Sequence, residues 1–224
     1  MLTELGRHDA GVVASGRPGG APAGSDTAKF RWLPLDLADP SADCFATLHR
    51  ANVWLHLAWD GLPKYRSQYH VETELPRHVA LLENAVRNGL STLVVAGTCL
   101  EYGLQSGALA AVAETRPTMP YGVAKDTLRQ RLQALQADCP FGLTWARLFY
   151  MYGDGQPAGS LWPSLKAAAL AGRDKFPMSG GEQLRDFVET RIRQNGWSIR
   201  PKYGEMPYAD CEPMAFWGKP SGSD

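Results

Sequence analysis

From Ser91 to Thr98 the chain reads STLVVAGT, an apolar run without polar alternation. Such continuity marks a strand covered on both faces, the condition of a parallel sheet flanked by helices. The neighbouring sequence agrees. Before the run, Val79, Leu82 and Val86 recur at helical spacing and stop at Gly89, where a left-handed residue closes a helix. After it, PYGVAKDTLRQRLQAL places Val123, Leu128, Leu132 and Leu135 on one apolar side, and FGLTWARLFYMYGDGQ reads as another buried strand.

The rhythm extends upstream. AGVVAS (Ala10 to Ser15) is a short strand followed by a loop rich in Gly, Pro, Ala and Ser. A second strand ends at Asp36, a helical span is capped near Ser41 or Asp43, and Val53 to Ala58 forms an apolar strand. Repeated alternation of strand and helix predicts an α/β chain with a doubly wound parallel sheet. Beyond Gly155 the rhythm stops, so residues 1–155 are expected to form the wound domain and 156–224 a smaller lobe.

At 224 residues the chain is long enough to bury a real core. Lys+Arg and Asp+Glu balance at 23 each, so no basic face advertises nucleic acid and a small molecule is the expected partner. Cys44, Cys99, Cys139 and Cys211 form no C-x-x-C pair and no metal-like group with the five histidines. That usage points to a reducing compartment, read as cytoplasm, with no metal. No apolar run approaches the roughly 20 residues that span a bilayer, and the start lacks the pattern of a signal peptide, so no membrane partner is expected.

Tyr121 and Lys125 stand four positions apart and so project from one helical face. A free phenol, with a pKa of roughly 10, is a poor catalyst near neutrality, but an adjacent ammonium favours the phenolate. Thr98 falls where the buried strand ends, the edge at which open α/β sheets gather ligands. Tyr121 and Thr98 are therefore expected to share one crevice.

Several stretches in order carry a family resemblance: VWLHLAW, GTCLEYG, PYGVAK, ARLFYMYGDGQ and SGGEQLRDFVE. Together they resemble the extended short-chain dehydrogenases/reductases, the NAD-dependent epimerase/dehydratase group acting on nucleotide sugars. Within it they look most like deoxysugar-nucleotide 4-dehydrogenases or 4-keto reductases. The resemblance implies a Rossmann-like fold, NAD or NADP as cofactor, a nucleotide-sugar substrate, and hydride transfer at the sugar C4. It makes Tyr121 the acid/base, Lys125 the group that lowers its pKa and binds the nicotinamide ribose, and Thr98 a second donor to the reacting oxygen.

It further places Asp36 at the adenine, the backbone of Leu57, Ala58 and Trp59 along the cofactor groove, and Phe149 at the nicotinamide. Arg17 faces an adenosine 2′-phosphate if the cofactor is NADP. Glu101, Arg147 and Tyr150 fall to the substrate, and Arg185 to its phosphates. Read as ordinary residues, Asp36 is a turn residue, Arg147 half of a buried ion pair, Arg185 a surface charge, Cys99 a small buried hydrophobe and His56 a hydrogen-bonded core residue. Relatives pair through two helices, here Arg77 to Asn88 and Tyr121 to Leu135, so a homodimer is implied, or a heterodimer with an intact paralogue.

Two departures stand against the resemblance. MLTELG at the start reads as the last turns of the helix that follows a Gly-rich phosphate loop, so the first strand and that loop are missing from the expected fold. SGRPGG follows the second strand of the pattern and is no substitute. Between RDFVE and TRIRQNGW the lobe is abridged. The competing expectation is therefore a cofactor-deficient remnant or pseudoenzyme, acting if at all as a binding or dimerisation module.

Overall fold

The computed structural model describes residues 11–21, 30–39, 43–150, 155–178, 192–202 and 216–218. Along the chain, β1 (Val12–Gly16) and β2 (Phe30–Pro34) precede a single helical turn, α1 (Cys44–Thr47). Strand β3 (Val53–His56) leads through a π-helical turn at His70–Glu74 into α2 (Leu75–Arg87). Strand β4 (Thr92–Thr98) runs into a tight 3-10 turn at Cys99–Tyr102 and the short β5 (Gly107–Leu109). Helix α3 (Pro120–Leu135) and β6 (Gly142–Leu148) follow, then α4 (Leu161–Leu170), β7 (Lys175–Pro177), β8 (Arg200–Lys202) and β9 (Phe216–Gly218).

The chain divides into two compact units, one of Met1–Glu101 with Met119–Arg147, the other of Tyr102–Thr118 with Leu148–Asp224. In the first, the strands form two separate pieces: a parallel β1-β2 pair and a three-stranded sheet in the order β3-β4-β6. Strand β3 runs parallel to β4, with Val53 opposite Thr92 and His56 opposite Val95. Among the described residues no ladder joins the two pieces. Arg17, just past β1, reaches Asp60, four residues past β3, at 3.4 Å.

Local chemistry explains the elements. Asp43 caps α1, its carboxylate accepting the Ala46 amide at 2.9 Å, and Cys44 donates its amide to Asn84 of α2 at 3.2 Å. Helix α2 ends as the pattern predicts: Gly89 takes φ +107, its amide reaches Val86 O, and the Leu90 amide reaches Ala85 O, both at 3.0 Å. Pro120 occupies the first turn of α3, where a missing N–H costs nothing. Leu81, Leu82 and Ala85 of α2 and Leu128 and Leu132 of α3 pack with Leu93 and Val95 of β4 in one core. Each such Leu or Val side chain contributes about 1.5–3 kcal/mol on burial.

Three expectations need correction. β4 is buried at alternate positions and only half-buried between them, and β6 is largely exposed or half-buried. Neither is a strand closed on both faces, because the described helices α2 and α3 cover one side. The same one-sidedness leaves Val53 and Leu55 of β3 56% and 46% exposed while Trp54 and His56 turn inward. Val123 is 36% exposed, since the inward stripe of α3 runs through Tyr121, Ala124, Lys125, Leu128, Leu132 and Leu135.

In the second unit, Leu165 and Ala168 of α4 pack with Ile199, against which Trp162, Phe176 and Trp197 are gathered. Strands β7 and β8 pair in parallel, as do β5 and β9. Gly103 takes φ +68 close against the Arg116 carbonyl, leaving no room for a side chain.

Candidate active site

Tyr121 lies on the first turn of α3 and Lys125 one turn later, both facing inward against the carboxyl end of β4. The Lys125 ammonium donates to the Ala96 carbonyl at 2.9 Å, two residues before Thr98 on the same strand. It also stands 4.1 Å from the Trp59 ring centroid. Thr98, the last residue of β4, is buried, and its hydroxyl accepts the Leu100 amide at 3.3 Å. Tyr121 is only 8% exposed, and its amide donates to Tyr65 O at 3.1 Å. Its ring lies among Trp59, Tyr65 and His70, with centroids 5.8, 5.6 and 5.2 Å away. Among the described residues nothing bonds its hydroxyl. A buried phenol left without a partner is costly and is where a ligand oxygen fits.

The electrostatics reverse one expectation. In this arrangement Lys125 does not acidify Tyr121; the phenol is held well above its ordinary range, first by burial and then by Tyr65, Glu101 and Cys99. The ammonium is turned to Ala96 and Trp59 instead. Burial in turn lowers Lys125 to about 7, against the favourable field of Glu101 and Glu74.

Glu101 is fully buried. Its carboxylate accepts the Thr98 amide at 2.8 Å, Trp145 Nε1 at 3.0 Å and Arg147 Nε at 2.6 Å. Burial raises its pKa, while these donors pull it down. Glu101 and Arg147 thus form a buried pair that fixes the backbone of Thr98. Gly97 is required here, because a Cβ would overlap the Trp145 indole and the Glu101 carboxylate.

The other expected residues are placed as follows. Asp36 is exposed and its carboxylate accepts the Ala38 amide at 2.8 Å, a local turn. Arg17 is exposed beside Asp60. Leu57 and Ala58 follow β3 and are exposed, whereas Trp59 is half-buried. Phe149, 6.1 Å from the Tyr102 ring, and the exposed Tyr150 belong to the second unit. Arg185 and the MLTELG segment lie outside the described residues. Cys99 is buried and in no disulfide, and His56 is buried and hydrogen-bonded. Among the described residues no group of His, Cys, Asp or Glu is set to hold a metal, and no helix is long and apolar enough to cross a membrane.

A second layer behind the pair escaped sequence reasoning. His56 Nε2 meets His78 Nδ1 at 2.9 Å, and His78 Nε2 meets Glu74 at 3.2 Å. Glu74 also accepts the Asp60 amide and the Tyr69 hydroxyl, each at 3.0 Å. Burial lowers His78 to about 4 and His56 well below its ordinary value, so both imidazoles are neutral. Glu74 and His78 at i and i+4 were a readable signal. Their meeting with β3 was not.

Residues 1–191 match the sequence model of the NAD dependent epimerase/dehydratase family. The chain belongs to that family. Among the epimerase/dehydratase proteins it resembles is the dTDP-6-deoxy-L-talose 4-dehydrogenase (NAD(+)) of Aggregatibacter actinomycetemcomitans, 27% identical over 207 residues, 76% of each chain. MoeE5, solved with UDP-glucuronic acid and NAD, superposes with TM-score 0.74 at 23% identity over 97% of this chain and 84% of its own. The UDP-glucose 4-epimerase of Thermotoga maritima, solved with UDP-glucose, gives TM-score 0.77 at 15% identity over 96% and 84%. At such identities the structures show the fold alone, a Rossmann-like α/β architecture.

Proposed function

We propose that this chain is a nucleotide-sugar oxidoreductase that binds NAD(H) and moves hydride at C4 of a deoxysugar nucleotide, with Tyr121 as the acid/base. One observation carries the reading: a buried phenol hydroxyl that, among the described residues, has no hydrogen-bond partner, on the helix whose Lys125 bonds the Ala96 carbonyl near the end of β4. The residues present fit the nicotinamide end of such a cofactor, through Thr98, Tyr121, Lys125 and the backbone after β3. When bound, the nicotinamide supplies or accepts the hydride. Tyr121, held protonated by its burial, is set to donate to a keto oxygen when the reaction runs as a reduction. The Thr98 hydroxyl gives the same oxygen a second hydrogen bond as negative charge develops. The Glu101–Arg147 pair holds the strand end still.

The names of the relatives, a 4-dehydrogenase using NAD(+) and a protein solved with NAD and a UDP-sugar, support this substrate class and cofactor. A cytoplasmic homodimer through α2 and α3 completes the reading. A second reading, the cofactor-poor remnant, is favoured by the division of the sheet, among the described residues, into β1-β2 and β3-β4-β6. Nicotinamide fluorescence on titration with NADH and NADPH decides between them: micromolar saturation supports the enzyme, and no response up to millimolar overturns it.

A further inference from the structure

Lys125 is 1% exposed, yet its carbon stem carries a group that ordinarily bears a charge at neutral pH. A buried ammonium survives only if something replaces its water. The Ala96 carbonyl supplies one hydrogen bond, and the other substitute is the π-face of Trp59, 4.1 Å away. That indole is itself fixed. Its Nε1–H donates to His70 Nδ1 at 3.1 Å, leaving His70 Nε2 to donate to Lys64 O at 3.0 Å. It also stacks on His78, with centroids 4.4 Å apart and planes 7° from parallel.

We propose that Trp59 is the positioning residue of Lys125: an indole locked by His70 and His78 holds the ammonium on its face, one helical turn from Tyr121. The significance of this rests on the reading above, in which Lys125 belongs to the catalytic set. The groups facing the ammonium are consistent with it. His56 and His78 are neutral, so neither repels the charge, and Glu74 and Glu101 lie close enough to favour it. Trp59 thus acts through its side chain, beside the backbone lining expected of it. A ligand hydroxyl reaching Lys125 has to compete with an aromatic face as well as a carbonyl, which ties release of the ammonium to arrival of the ligand.

The test uses the ligand-free full chain, so failure of the NADH titration leaves it intact. In protein carrying 13C-labelled lysine, the Lys125 Cε signal is assigned by its loss in Lys125→Met and titrated with pH. Mono-, di- and trifluorotryptophan are then placed at position 59, which weakens the ring face with little change of shape. The titration midpoint is expected to fall stepwise, by about half a unit to one unit across the series. An unmoved midpoint overturns the proposal. In the unmodified protein the Lys125 ε-protons are expected to show an upfield ring-current shift and cross-peaks to the Trp59 ring; their absence overturns it independently of how the fluorinated chains fold.

Discussion

Replacing Lys125 with Met should stabilise the protein at neutral pH. The ammonium falls from 10.5 in the open chain to about 7 in the fold, a drop of about 3.5 units. At about 1.4 kcal/mol per unit, holding it charged costs on the order of 5 kcal/mol. A folded pKa below the unfolded one means the unfolded chain holds more protons between the two values. Above about pH 10.5 both states are neutral and the cost is nil; as pH falls it grows, reaching its full size near pH 7. Lys125→Met removes that cost but orphans the Ala96 carbonyl, at about 1 kcal/mol. The net gain near pH 7 is then roughly 4 kcal/mol, shrinking towards zero near pH 10. Urea unfolding of both proteins at pH 6, 8 and 10 reads the difference directly. Parallel stability curves across that range would refute the reasoning, since the slope belongs to this one group.

Tyr121→Phe should lower turnover on the order of 10²–10⁴-fold while raising stability by about 1–3 kcal/mol, because it deletes a buried hydroxyl that has no partner among the described residues; steady-state kinetics and urea unfolding check the two halves. Glu101→Gln removes the buried negative charge that the Arg147 guanidinium meets at 2.6 Å and should destabilise the fold by about 1–3 kcal/mol, seen as a lowered unfolding midpoint. Gly97→Ala drives a methyl into Trp145 and Glu101 and should destabilise by about 1–3 kcal/mol, with a change in near-UV circular dichroism from the displaced indole. Lowering the pH from 6.5 towards 4 should weaken the fold as His78 is forced to charge, and His78→Gln should flatten that limb of the stability curve.

Local signals were legible in the sequence. Gly89 closes α2 and Asp43 caps α1 because each acts within a few residues of itself. Lys125 meets the strand that ends at Thr98, bonding the Ala96 carbonyl, because helical spacing and strand ends follow from backbone geometry alone. Burial on both faces was over-read for β4 and β6, since apolar continuity records what a strand is able to bury against, while coverage depends on a neighbour elsewhere in the chain. The orientation of Lys125 was out of reach for a related reason. Its choice between the phenol and the indole is decided by Trp59, far away in sequence, and by two histidines whose neutrality is a product of the packing.

The bare side of β3 makes the protein adhesive. Val53, Leu55 and Leu57 present a greasy ribbon beside backbone groups that no described neighbour pairs, the combination that lets strands of different molecules zip together. Concentrated preparations should therefore cloud on warming sooner than their melting temperature suggests. A single lysine at position 55 would keep the solution clear while leaving the Tyr121 crevice untouched.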